Sequence, residues 1–308
     1  KEVKAGTTPT TAEVTETGKP KPATVVIEYT DDKGNVVGTK EVEVPVTVVG
    51  STPKPVVVFE GEKPTKAKDA VTPGQGGTVG EPTTLPETAG KAGATDVSVD
   101  VPVTYDNGKV TETVKVPVTV LPKVKPEGVT VPKDADKTEL AKVVKEKAEE
   151  AAKKLEGLPE GVTVTVTSVE TTPGTDKTGV QTPATVTVEY KDKDGNKITK
   201  VIEVPVNVVS STPPEVVVFE GDTPNSEDIK KGITPGEGGT VGDPTKVPST
   251  VGKAGDKDVE VEVPVTYGNG KFKENVKVPV TVLPKPVPGS VIVPKDLSEK
   301  DLKDKVGK

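Results

Sequence analysis

Few side chains in this sequence could do chemistry. There is no His and no Cys, which removes the commonest general base, the thiolate nucleophile and the Cys/His zinc cluster. Four constellations remain. Leu85-Pro86-Glu87-Thr88-Ala89 has the form of a sortase sorting signal, but such a signal sits near a C-terminus, before an apolar span and a basic tail. A related stretch reads Val247-Pro248-Ser249-Thr250-Val251, so a structural loop is expected at both places. Asp192, Asp194 and Asn196 with Glu203 resemble part of a calcium loop. The EF-hand spacing needs glycine at its sixth position, and Gly195 is not there, so a plain hairpin turn is expected. Gly74, Gly76 and Gly77, matched by Gly236, Gly238 and Gly239, suggest a phosphate cradle. No Gly-Lys-Ser/Thr or helix start follows them, so the expectation is a loop needing positive φ. Asn207 is the one candidate for a Lys–Asn isopeptide cross-link, and Thr47 takes its place in the earlier copy. Gln75 and Gln181 are the only glutamines for a Thr–Gln ester, and the absence of Cys excludes a thioester. No catalytic, cofactor-binding or metal residue is assigned, and no cofactor is expected.

Paired carboxylates could cleave sugars, but such sites usually lean on aromatic platforms. Tyr 4 and Phe 3 in 308 residues do not make one, so an enzyme is not expected. A formal net charge of −7 argues against nucleic acid and anionic membrane surfaces as partners. No apolar run reaches the ~20 residues of a membrane span, and the N-terminus does not read as a signal peptide. With no Met, the chain reads as an internal piece of a longer protein. Lacking Cys and Met together suits an exposed extracellular life.

The elements that would carry any site are β-strands. The hydrophobic fraction is only 31% and most of it is Val, a residue suited to pleated, half-buried surfaces. Lys, Pro and charge are frequent enough to raise disorder, but the alternation is too regular for it. The chain also says most things twice: PATVVIEY from Pro22 returns as PATVTVEY from Pro183, and VVVFEG recurs at Val56 and Val216. KVPVTVLPK recurs at Lys115 and Lys277, giving a period of about 161 residues, too long for a solenoid repeat. Each period holds two hairpin-ended modules. In one, Val97 to Tyr105 and Val114 to Val120 alternate about Asn107-Gly108, the preferred dipeptide of a type I′ turn, kept as Asn269-Gly270. In the other, a hairpin spans Thr185 to Val208, with its earlier partner over Thr24 to Val48. Pro45, Pro102, Pro117, Pro205, Pro264 and Pro279 interrupt these strands, which predicts edge strands or bulges. One helix stands out: Asp136 and Glu139 have capping-box spacing, and Leu140, Val143, Val144, Ala148, Ala151, Ala152 and Leu155 form a stripe ending near Gly157. It is expected to pack on its own module's sheet. GVTVPKD at Gly128 returns as GSVIVPKD at Gly289, and Ser298 and Asp301 repeat the cap before Leu302 and Val306.

The boundaries expected are a partial module lacking its helix over 1–50, a plain module over 51–122, a helix-bearing module over 123–210, a plain module over 211–284, and the start of a truncated module over 285–308. The plain modules resemble the Rib domain of Rib/alpha-like surface proteins of Gram-positive bacteria. The resemblance rests on Gly61-Glu62 with Pro64, Ala67 and Asp69, then Gly77-Thr78-Val79, Thr88 to Lys91, and Tyr105 with Asn107-Gly108. The second copy carries Gly221, Pro224, Asp228, Gly239-Thr240-Val241 and Tyr267 with Asn269-Gly270. The helix-bearing module matches more loosely. The resemblance implies a mainly β chain: a tandem array of small immunoglobulin-like, Rib-type β modules, alternating with helix-bearing α+β Rib-like modules, in an elongated rod. It implies a structural stalk projecting an N-terminal binding region of a cell-wall-anchored adhesin, anchored through a region outside this chain. The alternative is that the repeats are themselves adhesive, binding a host surface or their own copies. The partners expected are neighbouring repeats of the same chain, and a host surface or homotypic partner on the second reading.

Overall fold

Alternating Val and Thr runs become strands throughout the computed structural model, which describes residues 2–5, 14–19 and 21–307. Parts of the segments expected over 1–50 and 285–308 thus lie outside the described residues. The chain is mainly β and divides into two compact units, Lys1–Lys123 with Leu155–Thr163, and Val124–Lys154 with Val164–Lys308.

In the first unit, β1 (Glu2–Ala5), β2 (Ala23–Thr30) and β3 (Val36–Val44) form an antiparallel sheet in that order. Val48 then bridges back to Gly18. Short β4 (Thr52–Pro53) pairs with β6 (Val71–Thr72). A second sheet has the order β5-β9-β8-β7, from β5 (Val56–Phe59), β7 (Thr78–Val79), β8 (Ser98–Tyr105) and β9 (Val110–Leu121). Val99, Val101, Val103, Val114, Val116, Val118 and Val120 point to one face and make its core with Ala67 and Val71, as the alternation predicts. The Asn107-Gly108 turn forms with both residues at positive φ, 52° and 88°, and Lys109 N–H donates to the Asp106 carbonyl at 3.2 Å, the geometry of a type I′ turn. The loop is longer than the two residues the dipeptide suggests, because the ladder closes at Tyr105↔Val110.

Pro45 and Pro205 follow the edge strands of their sheets, but Pro102, Pro117, Pro264 and Pro279 depart from the expectation of edge strands. Pro102 and Pro117 lie in β8 and β9, each flanked by two strands. The missing donors fall where neighbouring ladders stop. The Pro102 carbonyl accepts from Gly80 N–H at 2.8 Å, so its nitrogen faces the end of β7. Val118 N–H donates back to the Val97 carbonyl at 2.9 Å, so Pro117 faces the β5 side, one residue before the parallel ladder starts at Val56↔Val118.

In the second unit, β10 (Val129–Pro132), β15 (Val206–Val209) and β12 (Gly179–Val180) form one sheet, with β15 central. A second has the order β11-β13-β14, from β11 (Thr163–Thr171), β13 (Ala184–Lys191) and β14 (Lys197–Val204). The hairpin expected over Thr185 to Val208 is therefore shorter. At Pro205 the return strand leaves β13, and β15 pairs parallel with β10 instead, since proline cannot continue the donor ladder. The third sheet, β16-β19-β18-β17, repeats that of the first unit with β16 (Val216–Phe219), β17 (Thr240–Val241), β18 (Glu260–Tyr267) and β19 (Phe272–Leu283).

Helix α1 (Lys137–Lys153) starts as predicted, with Asp136 accepting from Glu139 N–H at 2.9 Å. Its buried residues, Leu140, Val143, Val144 and Ala148, are the front of the expected stripe, and it packs on β10, β13 and β14 of its own module. It ends at Lys153, before Gly157. Asp136→Ala should cost about 1 kcal/mol by leaving a first-turn N–H without its cap; thermal melting of the helical circular dichroism signal checks this. Two more α-helices occur among the described residues: α2 (Ser226–Gly232), capped by Asn225, and α3 (Glu299–Val306), capped by Ser298. No apolar stripe marks α2 in the sequence. Its signal was Asn225 followed by Glu227 and Asp228 in the first turn.

Candidate functional site: paired serine–tyrosine–glutamate clusters

The four constellations of the sequence take structural places. Thr88 is 1% exposed, and its hydroxyl donates to the Glu62 carbonyl at 2.7 Å. Thr250 does the same to the Asp222 carbonyl at 2.7 Å and accepts from Gly221 N–H at 3.0 Å. The segment resembling a sorting signal thus straps the turn after β5, with its threonine buried. One Asp192 carboxylate oxygen accepts from the N–H groups of Asp194 and Asn196, and the other from the Asn196 side chain. These bonds, that of the Asn196 side chain foremost, hold the Asp192 carboxyl below its usual range. Glu203 is not brought to this loop, because it pairs with Thr185 at the far end of the ladder. The Asn207 amide lies 3.4 Å from a Glu237 carboxylate oxygen, and the Gln181 side chain donates to the Lys177 and Gly179 carbonyls.

The glycine cluster is explained differently from the expectation. Only Gly76 has positive φ, 79°, as does Gly238 at 74°. At Gly77 a Cβ would come within 2.7 Å of the Tyr105 ring, and at Gly74 it would meet the Gly50 backbone at 2.9 Å and the Tyr105 hydroxyl at 3.0 Å. At Gly239 a Cβ would come within 2.9 Å of the Tyr267 ring, and at Gly236 it would meet Val209 at 2.8 Å and the Tyr267 hydroxyl at 3.0 Å.

This tyrosine belongs to a cluster that the sequence did not reveal. Ser51, just before β4, sits against Tyr105 at the end of β8 and Glu112 near the start of β9. Ser51 Oγ donates to Glu112 Oε2 at 2.8 Å and lies 2.9 Å from Tyr105 Oη, which itself donates to Glu112 Oε2 at 2.9 Å. Ser51 N–H also donates to the carboxylate, and Gly74 N–H to Ser51 Oγ at 3.3 Å. The second unit repeats the set. Ser211 Oγ donates to Glu274 Oε2 at 2.7 Å and lies 3.0 Å from Tyr267 Oη, which donates to the same oxygen at 2.8 Å. The only sequence signal was that Ser-Thr-Pro, Tyr and Glu recur one period apart; nothing local joins residues so distant in the chain.

Burial pushes the Glu274 carboxyl up, but hydrogen bonds from the Ser211 hydroxyl and N–H, with that of Tyr267, outweigh it and hold the group below its usual range. Glu112 behaves likewise. Burial raises the Tyr267 phenol, and pushes that of Tyr190 up to about 12. A carboxylate whose folded pKa is depressed stabilises the fold fully above its unfolded value, 4.5, and loses that contribution as pH falls through the folded value. Urea midpoints should therefore drop as pH falls below 4.5, and Glu274→Gln should flatten the drop for its sheet. In each cluster a charge-assisted network ties the segment entering β4, or the strand leaving β15, to the turn end of the next hairpin.

No helix among the described residues is long and apolar enough to cross a membrane, which says nothing of a β-barrel. No protein-family model and no curated protein matches the chain. Among solved structures, one similar chain is the sialic acid binding region of a Streptococcus sanguinis SK1 adhesin bound to 3'sLn, at 14% identity, covering 84% of this chain and 86% of that one, with a TM-score of 0.22. Others are the insect immune protein hemolin, at 11% identity over 86% and 82% with a TM-score of 0.14, and Drosophila N-cadherin EC1-3, at 12% over 76% and 99% with a TM-score of 0.16. At such scores the overall folds do not superpose, and the likeness carries no weight for function.

Proposed function

We propose that this chain is a non-catalytic stretch of stalk from an extracellular, cell-wall-anchored bacterial adhesin, built from tandem Rib-type modules in alternation with helix-bearing ones. The observation that carries the reading is the recurrence of the Ser51–Tyr105–Glu112 cluster as Ser211–Tyr267–Glu274. Both sit where one module's last strand passes into the next module's sheet, and both use a carboxylate to hold the passage. A module repeated with its joint serves spacing and reach, and a joint held by several hydrogen bonds resists bending more than a bare linker. Small-angle scattering tests it. A rod built of strands of roughly 30 Å would reach a maximum dimension on the order of 100 Å, whereas compact packing would give about 40 Å; the compact value would sink the reading.

A second reading, in which the repeats themselves adhere, is favoured by one observation. Phe219 on the edge strand β16 is 44% exposed, whereas its counterpart Phe59 is 6% exposed. Beside β16 runs a groove of about 400 Å³ lined by Val217, Phe219, Asn225 and Ile229. An exposed edge with an aromatic can take up an extended peptide. Retention of the chain on a peptide or host-glycan array, lost in Phe219→Lys, would favour adhesion over a passive stalk.

A further inference from the structure

The turn between β8 and β9 places two side chains in a backbone region that suits glycine. Asp106 has φ 48° and Asn107 φ 52° with ψ 38°, and Gly108 follows at φ 88°. Between β18 and β19 the corresponding residues are Gly268, Asn269 and Gly270, at φ 57°, 56° and 88°. The conformations agree, but their cost does not. At positive φ a Cβ crowds the following carbonyl oxygen, and glycine has none. The first turn is therefore strained at Asp106 and Asn107, the second at Asn269 alone. Phe272, which stands where the first turn has Val110, also lies against Gly268, with its ring 3.5 Å from where a Cβ there would stand.

Asparagine before glycine has a reaction of its own. With no Cβ to shield it, the glycine nitrogen can attack the carbon of the preceding side-chain amide. Of the asparagines in this chain, only Asn107 and Asn269 precede a glycine. Both turns are exposed, and a Cβ at Gly108 or Gly270 would meet nothing within 4 Å. Neither side-chain amide has a hydrogen-bond partner among the described residues. Asn35 and Asn196, by contrast, donate theirs to Asp31 and Asp192.

We propose that Asn107 is a site of spontaneous deamidation and that Asn269 is its slower counterpart. The Gly108 nitrogen bonds to Asn107 Cγ, and its proton leaves with the side-chain nitrogen as ammonia. Water then opens the five-membered imide at either carbonyl, giving aspartate or isoaspartate. At ψ 38° the Gly108 nitrogen points away from the Asn107 side chain, so the ring closes only when the turn opens. The fold is a brake on both sites, and it is weaker where strain favours opening. Isoaspartate carries the chain through the side-chain carboxyl and adds a methylene to the backbone, and either product adds negative charge beside Asp106. Tyr105 and Glu112, which hold Ser51, flank this turn, so the modification loosens the cluster from the turn end of its hairpin. The proposal does not depend on the stalk reading: a passive stalk and an adhesive module would age in the same way.

The whole chain is kept in mildly alkaline buffer, and peptide mass spectrometry with an isoaspartate-specific methyl label follows each turn. In the folded chain Asn107 should convert about fivefold faster than Asn269, the ratio that relief of one left-handed residue implies. In concentrated urea the two should convert at similar rates, because both precede glycine. Asp106→Gly, which gives the first turn the residues of the second, should slow Asn107 to near the rate of Asn269, and Gly268→Asp should speed Asn269. Amide exchange in β8 and β9 should quicken once Asn107 has converted. Three results would overturn the proposal: equal rates at the two sites in the folded chain, an intact Asn107 in the folded chain while the unfolded chain converts, or an unchanged Asn107 rate in Asp106→Gly.

Discussion

Replacing Tyr267 by Ala is expected to lower the stability of the β16–β19 sheet by about 3–5 kcal/mol, the range for deleting a buried aromatic ring. Tyr267 is 1% exposed and one of the largest fully buried side chains. Its ring fills the space that Gly236 and Gly239 leave open, and its hydroxyl joins Ser211 and Glu274. Tyr267→Phe should cost only about 1 kcal/mol, because the ring stays and Ser211 still donates to Glu274 at 2.7 Å. The gap between the two variants separates packing from the hydrogen bonds. Because a chain of several sheets need not unfold in one step, the readout is amide exchange of β18 and β19 in urea. Equal losses in the two variants would mean that the hydroxyl, and not the ring, holds the hairpin.

Leu140→Ala should cost about 2–5 kcal/mol in the helix-bearing module. Leu140 is wholly buried where α1 meets β10, β13 and β14. The helix has few other large anchors: its buried set is Leu140, Val143, Val144 and Ala148, so loss of the leucine removes much of what fixes it to the sheet. Helical ellipticity at intermediate urea should fall first, while exchange in the β16–β19 sheet changes less. Coincident loss of both would show that the two fold as a single cooperative body.

The strands, turns and helix start were legible because each is written in neighbouring residues. Valines at alternate positions from Val97 to Val103 place one face inward, Asn107-Gly108 accepts the positive φ its turn requires, and Asp136 with Glu139 marks the first turn of α1. The glycine cluster was only half legible: Gly76 answers to its own backbone, whereas Gly77 answers to a tyrosine some thirty residues away, and Gly74 to that tyrosine and to the Gly50 backbone. The prolines misled for a related reason. A missing donor is harmless wherever the neighbouring ladder has ended, and where a ladder ends depends on the partner strand.

The sequence by itself determined which segments extend, which turn, which coil, and that the whole set occurs twice, because those properties follow from backbone preference and period within a few residues. It also determined that histidine and cysteine chemistry are absent. Only the tertiary structure decided that Val56–Phe59 lies parallel to Val118–Leu121, that the strand after Pro205 changes sheets, and that Ser51 meets Tyr105 and Glu112. It alone decided that two copies of one sheet differ, with Val204 and Tyr190 buried in one and Val44 and Tyr29 partly exposed in the other. A strand's own pattern specifies the face it buries, not the segment that will cover it; that choice is made by contacts between residues far apart in the chain.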